Sequence, residues 1–260
     1  MLTPAEAIFV RAQQVWAERA VPPYESFRIA CAQTYLADRC AAGEVVEFTM
    51  RTADGRTFAQ TVSTSTTPSR TLLRGGFITG PDATPLGFYR ILPTTPGGFV
   101  QQPPPNLAPD PLLPTITVAS AVSRSYAIAF AGVERLGPYS VDHLTLRPLS
   151  DGERHALREL WVDEASGNIV RLIYAHDFGN GRWGTVDYRF SPRGEREIWT
   201  IVHIEADAPA GSAFGPAPQH VQSDLDDIAF PAAMPDADFT PNPESSPEST
   251  DSRRSCGSDT

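Results

Sequence analysis

The chain contains no lysine: all 21 of its basic residues are arginine. That absence removes every mechanism built on a Schiff-base amine, a phosphate-loop lysine or a Ser-x-x-Lys pair. Positive charge is short as well, 21 basic against 31 acidic residues for a net charge of -10 and a pI near 4.9. Nucleic acid is thereby set aside as a partner, because holding a phosphate backbone rests on a concentrated basic surface. No apolar run approaches the roughly 18 residues of a membrane span, and Met1-Leu-Thr-Pro4 has neither the basic segment nor the apolar core of a signal peptide. There is no Gly-x-Ser-x-Gly elbow and no His-Glu-x-x-His. Cysteine is scarce: Cys31, Cys40 and Cys256. The first two could bridge the ends of one hairpin, which would imply an oxidising compartment, and a free buried cysteine would look identical.

What the chain does have is strands. From His155 to Asp207 four runs dense in β-branched and aromatic residues follow one another, Ala156 to Asp163, Asn168 to His176, Arg182 to Phe190 and Glu195 to Glu205. Asp163-Glu-Ala-Ser-Gly-Asn168, Gly179-Asn-Gly181 and Ser191-Pro-Arg-Gly194 between them supply turn residues, so the stretch reads as an antiparallel meander. Leu160, Val162, Leu172, Tyr174, Val186, Tyr188 and Phe190 fall on one side by alternation, and Arg171, Asp187 and Arg189 on the other. In the fourth run Trp199 and Ile201 lie opposite Ile198, Val202 and Ile204, which predicts that both faces need cover, from a helix or loop outside.

Thr3-Pro4-Ala5-Glu6 is a capping box with proline at the first helical position, and Ile8, Phe9, Ala12, Val15 and Trp16 recur at helical spacing before Pro22-Pro23. This predicts one amphipathic helix laid on the meander. Strands are expected at Tyr24 to Ala32, Glu44 to Thr52 and, after the Asp54-Gly55 turn, Arg56 to Ser63, with Val46, Phe48, Met50 and Phe58 sharing a face. A further strand is expected from Ser69 to Phe77. Residues 78–114 hold ten prolines among scattered apolar residues, and an irregular segment of that length reads as a lid or insertion. Strands return at Ser123 to Glu134 and Tyr139 to Leu149, with a final one at Ser223 to Phe230. At 260 residues the chain suits one β-rich domain over 1–234, followed by a disordered acidic tail over 235–260.

Tyr126-Ala-Ile-Ala-Phe-Ala-Gly-Val-Glu134, Tyr139-Ser-Val-Asp-His-Leu-Thr-Leu-Arg-Pro148, Leu160-Trp-Val-Asp163 with Gly167-Asn-Ile-Val-Arg171, and Asp226-Asp-Ile-Ala-Phe-Pro-Ala-Ala-Met-Pro235 together resemble the LolA-like lipoprotein-carrier superfamily. The resemblance covers nearly all of the ordered chain and rests on hydrophobic spacings and turns, with no catalytic signature. It implies a mainly β (α+β) fold, an unclosed antiparallel barrel of about eleven strands whose concave apolar face is covered by helices or loops. It also implies a periplasmic or exported protein that carries acyl chains or lipoproteins, or senses envelope components, without cofactor or metal. A monomer is expected. This sequence departs from the pattern in lacking a signal peptide, which suits a chain beginning at a mature end, and in the length of its Pro-rich segment.

The candidate ligand-binding residues are therefore Phe48, Met50, Tyr126, Ile128, Phe130, Leu144, Leu146, Leu160, Val162, Leu172, Tyr174, Val186, Tyr188 and Phe190. They could equally fill a core, because small barrels are normally packed solid. No catalytic residue and no metal ligand is expected. Asp177-Phe-Gly179 and Gly179-x-Gly181-x-x-Gly184 match a kinase metal motif and a dinucleotide loop, but Arg182 onward starts a strand where the loop needs a helix. His203-Ile-Glu205 puts two possible ligands on one strand face, with His143 and His176 as conceivable partners. Three functions follow: a non-enzymatic carrier of a hydrophobic ligand, a protein-interaction or envelope-sensing module with a packed interior, or an enzyme using those histidines.

Overall fold

The computed structural model describes residues 2–20, 22–33, 43–51, 56–63, 126–149, 157–178, 181–212 and 216–235. The expected strand at Ser69 to Phe77, the Asp54-Gly55 turn, the 78–114 segment and residues 236–260 lie outside them. So does Cys40, and with it the Cys31–Cys40 bridge.

The helix forms where the capping box places it. In α1 (Pro4–Glu18), Thr3 Oγ1 accepts from the Glu6 N–H at 3.2 Å while Glu6 Oε2 accepts from the Thr3 N–H at 2.7 Å, closing two of the free donors of the first turn. Eleven strands follow: β1 (Tyr24–Ala30), β2 (Glu44–Arg51), β3 (Arg56–Ser63), β4 (Tyr126–Leu136), β5 (Tyr139–Pro148), β6 (Leu157–Asp163), β7 (Ile169–Asp177), β8 (Trp183–Arg193), β9 (Ile198–Ala208), β10 (Gln219–Asp224) and β11 (Asp226–Ala229). All of their pairings are antiparallel, in a seven-stranded sheet ordered β10-β9-β8-β7-β6-β5-β4 and a four-stranded sheet ordered β11-β1-β2-β3.

The predicted last strand is in fact two. Leu225 separates β10 from β11, its side chain buried and its N–H donated to the Val202 carbonyl at 2.9 Å, so the chain leaves one sheet and enters the other within a single residue. Across that seam Ser223 Oγ donates to the Gln33 carbonyl at 2.7 Å, and Thr200 Oγ1 donates to the buried Glu25 carboxyl. The result is one unclosed antiparallel surface with a helix on one side, as expected. Among the described residues no pairing joins β3 to β4.

Two register details correct the reading from sequence. In β9 two residues are set against Arg189: Phe190 pairs with Ile201, Arg189 with His203 and Tyr188 with Ile204. This bulge flips the alternation, so that Ile201 and Ile204, together with Ala206 and Ala208, bury into the same core. The strand therefore turns Ile201, Ile204, Ala206 and Ala208 to one core, while Trp199 also packs against Val141, Trp161 and Val170 on the other side. Between β2 and β3, Phe48 pairs with Ala59 and Thr49 with Phe58, a register in which Phe48 and Phe58 are not directly opposite.

Candidate functional site

The concave side gathers the predicted apolar residues. Phe48, Tyr126, Leu144, Leu146, Leu160, Val162, Leu172, Tyr174, Val186, Tyr188 and Phe190 are all buried in one cluster that also takes in Phe9, Ala12 and Trp16 of α1. Ile128 packs partly buried against it. Phe130 does not join: it is 48% exposed, just before the register shift at Gly132 on β4, the last strand of the seven-stranded sheet. The side chain of Met50 lies outside the described set. Sequence reading missed Phe27, Ile29, Ile201, Ile204, Ala206 and Phe178 as members of the same cluster. Phe178 is the middle residue of the apparent kinase motif; its N–H donates to the Arg182 carbonyl at 2.9 Å, so it serves a strand-to-strand turn.

One helix roofs this face. Phe9 meets Tyr126 of β4 at a centroid distance of 6.4 Å, and Trp16 meets the Phe190 ring of β8 edge-on at 5.3 Å, so α1 crosses the sheet between those strands. On its outer side Arg11 donates to the carbonyls of Glu164 (3.0 Å) and Ala165 (2.8 Å) in the turn after β6. That turn is itself fixed, with the Asp163 carboxylate accepting from Ser166 N–H at 2.8 Å and from Ser166 Oγ at 2.6 Å. Gly167 follows with φ +78°, and a Cβ there would stand 2.9 Å from Arg11 Nε and 3.1 Å from Val15 Cγ2. Glycine is required twice, by its left-handed backbone and by the closeness of the helix.

Polar atoms within the apolar face are few. The Tyr174 and Tyr188 rings stack at 5.5 Å with their hydroxyls 3.1 Å apart, and Tyr126 Oη accepts from the Leu157 N–H at 3.3 Å. Burial, partly offset by that hydrogen bond, pushes the Tyr126 phenol above its ordinary range.

The other side holds a smaller apolar cluster of Val141, Trp161 and Val170, and around it polar residues cross-link the strands. His143 of β5 lies between Glu134 (Nδ1, 2.7 Å) and Glu159 (Nε2, 2.8 Å) and stacks on Trp161 at 4.3 Å, while the Arg171 guanidinium sits 4.4 Å from the same indole and grips Asp187 at 2.5–3.0 Å. Further along, His203 and Glu205 of β9 do share a face, as predicted, but their companions are Asp207, His220 and Asp224. His143 is separated from them by β6, β7 and β8, and the side chain of His176 lies outside the described set. The His203 hydrogen bond lowers Asp224 from its ordinary value, and the Asp207 hydrogen bond raises His220.

No family model matches the sequence, and no curated protein matches it. Among solved structures the chain is similar to an outer membrane lipoprotein-sorting protein domain from Vibrio parahaemolyticus (12% identity over 90% of this chain and 97% of that one, TM-score 0.35). It is similar to a LolA superfamily protein from Nitrosomonas europaea (13% identity, 92% and 99%, TM-score 0.36). A DUF1329 family protein from Desulfovibrio piger gives 12% identity over 92% and 98% of the two chains at a TM-score of 0.41. Overlaps this loose decide neither ligand nor mechanism.

Proposed function

We propose that this protein is a non-enzymatic carrier or binder of a hydrophobic ligand, an acyl chain or an acylated protein, taken up on the concave face beneath α1. The supporting observation is the coverage of that face: a continuous apolar surface spanning β4 to β9 is roofed by one 15-residue helix. Each methylene placed against such a surface contributes about 0.8 kcal/mol before ordering costs, so one fatty chain suffices for binding. A chain entering there replaces the contacts of Phe9 and Trp16, each of which holds α1 down by roughly 1.5 to 3 kcal/mol. The stacked Tyr174 and Tyr188 hydroxyls offer a polar anchor within reach of the ligand's oxygen atoms. An exported or periplasmic location goes with this reading; no helix among the described residues is long and apolar enough to cross a membrane.

The test is displacement of a fluorescent fatty acid from the delipidated full chain, followed with the wild type and with Trp16→Ala. Saturable uptake with altered indole emission is expected, and the variant, whose roof is lighter, should take up probe faster. Failure of both proteins to take up probe would remove the proposal.

A second reading has its own support. Leu144, Leu160, Leu172, Val186 and Tyr188 are each at 0% exposure, the packing expected of an interior that is filled for good. The protein would then be an interaction or envelope-sensing module that uses its polar convex face or a sheet edge. It predicts no uptake and capture of one specific protein partner.

A further inference from the structure

One buried carboxyl is used by neither reading, and it sits where three elements meet. β1 alternates with Glu25, Phe27 and Ile29 on its buried side, so the Glu25 side chain stands in line with two members of the apolar cluster. Thr200 of β9, itself buried, donates its hydroxyl to that carboxyl across the seam between the two sheets. The C-terminal end of α1 comes to the same place. Arg19, which caps the helix, holds its guanidinium 3.7 Å from the centre of the Trp16 ring and donates to the Trp16 carbonyl at 2.6 Å, and its charge bears on Glu25. The Trp16 ring rests in turn on Phe190, whose partner across the ladder is Ile201, the neighbour of Thr200. Among the described residues the groups acting on Glu25 are thus Arg19 from α1, by charge, and Thr200 from β9, by hydrogen bond; its ladder partner on β2, Met50, does not titrate.

A glutamine at this position would accept the same hydrogen bond; what the carboxyl adds is a charge that can be switched on. With its proton, Glu25 is a satisfied polar group that joins β1 to β9 beneath the end of the helix. Without it, a charge lies buried, and its cost is met only when water or a cation reaches it. Arg19 is the cation at hand, and it is turned toward the Trp16 ring. We propose that Glu25 is a proton-operated latch on the concave face: protonated, it holds β1, β9 and the C-terminal end of α1 together, and on ionising it draws Arg19 from Trp16 and lets that end of the helix lift. The middle of α1 stays tied, because Arg11 donates to two backbone carbonyls that do not titrate. Burial, opposed by Thr200 and Arg19, raises the Glu25 carboxyl, so the closed form keeps its proton where the open form has lost it, and closure weakens as pH rises. The latch governs access to the ligand face and rests on the carrier reading for its purpose, but it operates without ligand.

The experiment is amide hydrogen exchange of the ligand-free full chain from about pH 4 to 8, corrected for the intrinsic exchange rate. In the wild type, protection over residues 12–19 should fall by up to about tenfold for each pH unit above 4.5, level off once the folded carboxyl has ionised, and stay below that of the core strands β6 and β7 throughout. Glu25→Gln should show no such slope. Thr200→Val, which removes a hydrogen bond that opposes the effect of burial, should move the levelling to higher pH. Asp142, raised by burial and by Glu164, titrates near Arg11 at the tied part of the helix, and Asp142→Asn should keep the wild-type slope. A slope that Glu25→Gln retains, or α1 amides that exchange only together with the core strands, overturns the latch. Uptake of a fluorescent fatty acid at the two ends of the pH range separates this from the carrier reading: a slope without uptake supports the latch and removes the carrier, and uptake without a slope does the reverse.

Discussion

At Gly184 there is no room for a single methyl group: a Cβ would stand 2.0 Å from the Asp207 carbonyl oxygen and 2.8 Å from the Phe178 ring. The clash is with backbone, so Gly184→Ala must part β8 from β9, and we expect a loss of at least about 2 kcal/mol in denaturant unfolding. The glycine that seemed to complete a dinucleotide loop is thus there for close packing of two strands. Glu25 is the residue where pH enters. Burial, opposed by the Thr200 hydrogen bond and by the charge of Arg19, raises its carboxyl above the usual range, so the unfolded chain ionises before the folded one. Stability from this group is therefore present below the unfolded value and falls away as pH rises through the folded one. Glu25→Gln should raise Tm by a few degrees at pH 8, and the gain should shrink as pH falls through the raised folded value and level off below the unfolded value of 4.5.

At the scale of elements, α1 and the turn after β6 form one tied unit: a capped helix, an arginine on two carbonyls, and a glycine beneath. Arg11→Ala removes both side-chain bonds to the 164–165 turn, and its cost should be about 1 kcal/mol in stability, with faster amide exchange confined to α1 and that turn. The helix was fully legible in the sequence, because Thr3, Pro4 and Glu6 act locally and the apolar stripe has one period. Strand alternation was legible for the same reason in β5 and β8. It failed in β9, where the extra residue at Val202–His203 shifts the parity without leaving a glycine or proline to mark it. The β10–β11 break was missed because Leu225 carries ordinary strand chemistry, and what splits the strand there is the meeting of two sheets. Had Gln219-His-Val-Gln-Ser-Asp224 been read as a strand, the alternation of His220, Gln222 and Asp224 would have placed that histidine beside Asp207.

At the scale of the whole molecule, the eleven antiparallel strands among the described residues make an unclosed surface with an apolar side and a charged side that surrounds a smaller apolar cluster. The apolar side was visible in the sequence as a set of residues, and so was its covering by α1, whereas how far the helix fills it was not, since periodicity fixes only which face is buried. The ion-pair ladder on the other side joins strands that follow one another in the chain, and its partners are set by a register that bulges shift, so only the pairing reveals it. Both sides bear on function, but the carrier reading stands on the concave one alone. Native mass spectrometry of the full chain, purified from bacterial extract and again after incubation with excess fatty acid, tests it most directly. The reading predicts a 28.2 kDa chain carrying the mass of one bound lipid in either sample. A bare chain in both would contradict it.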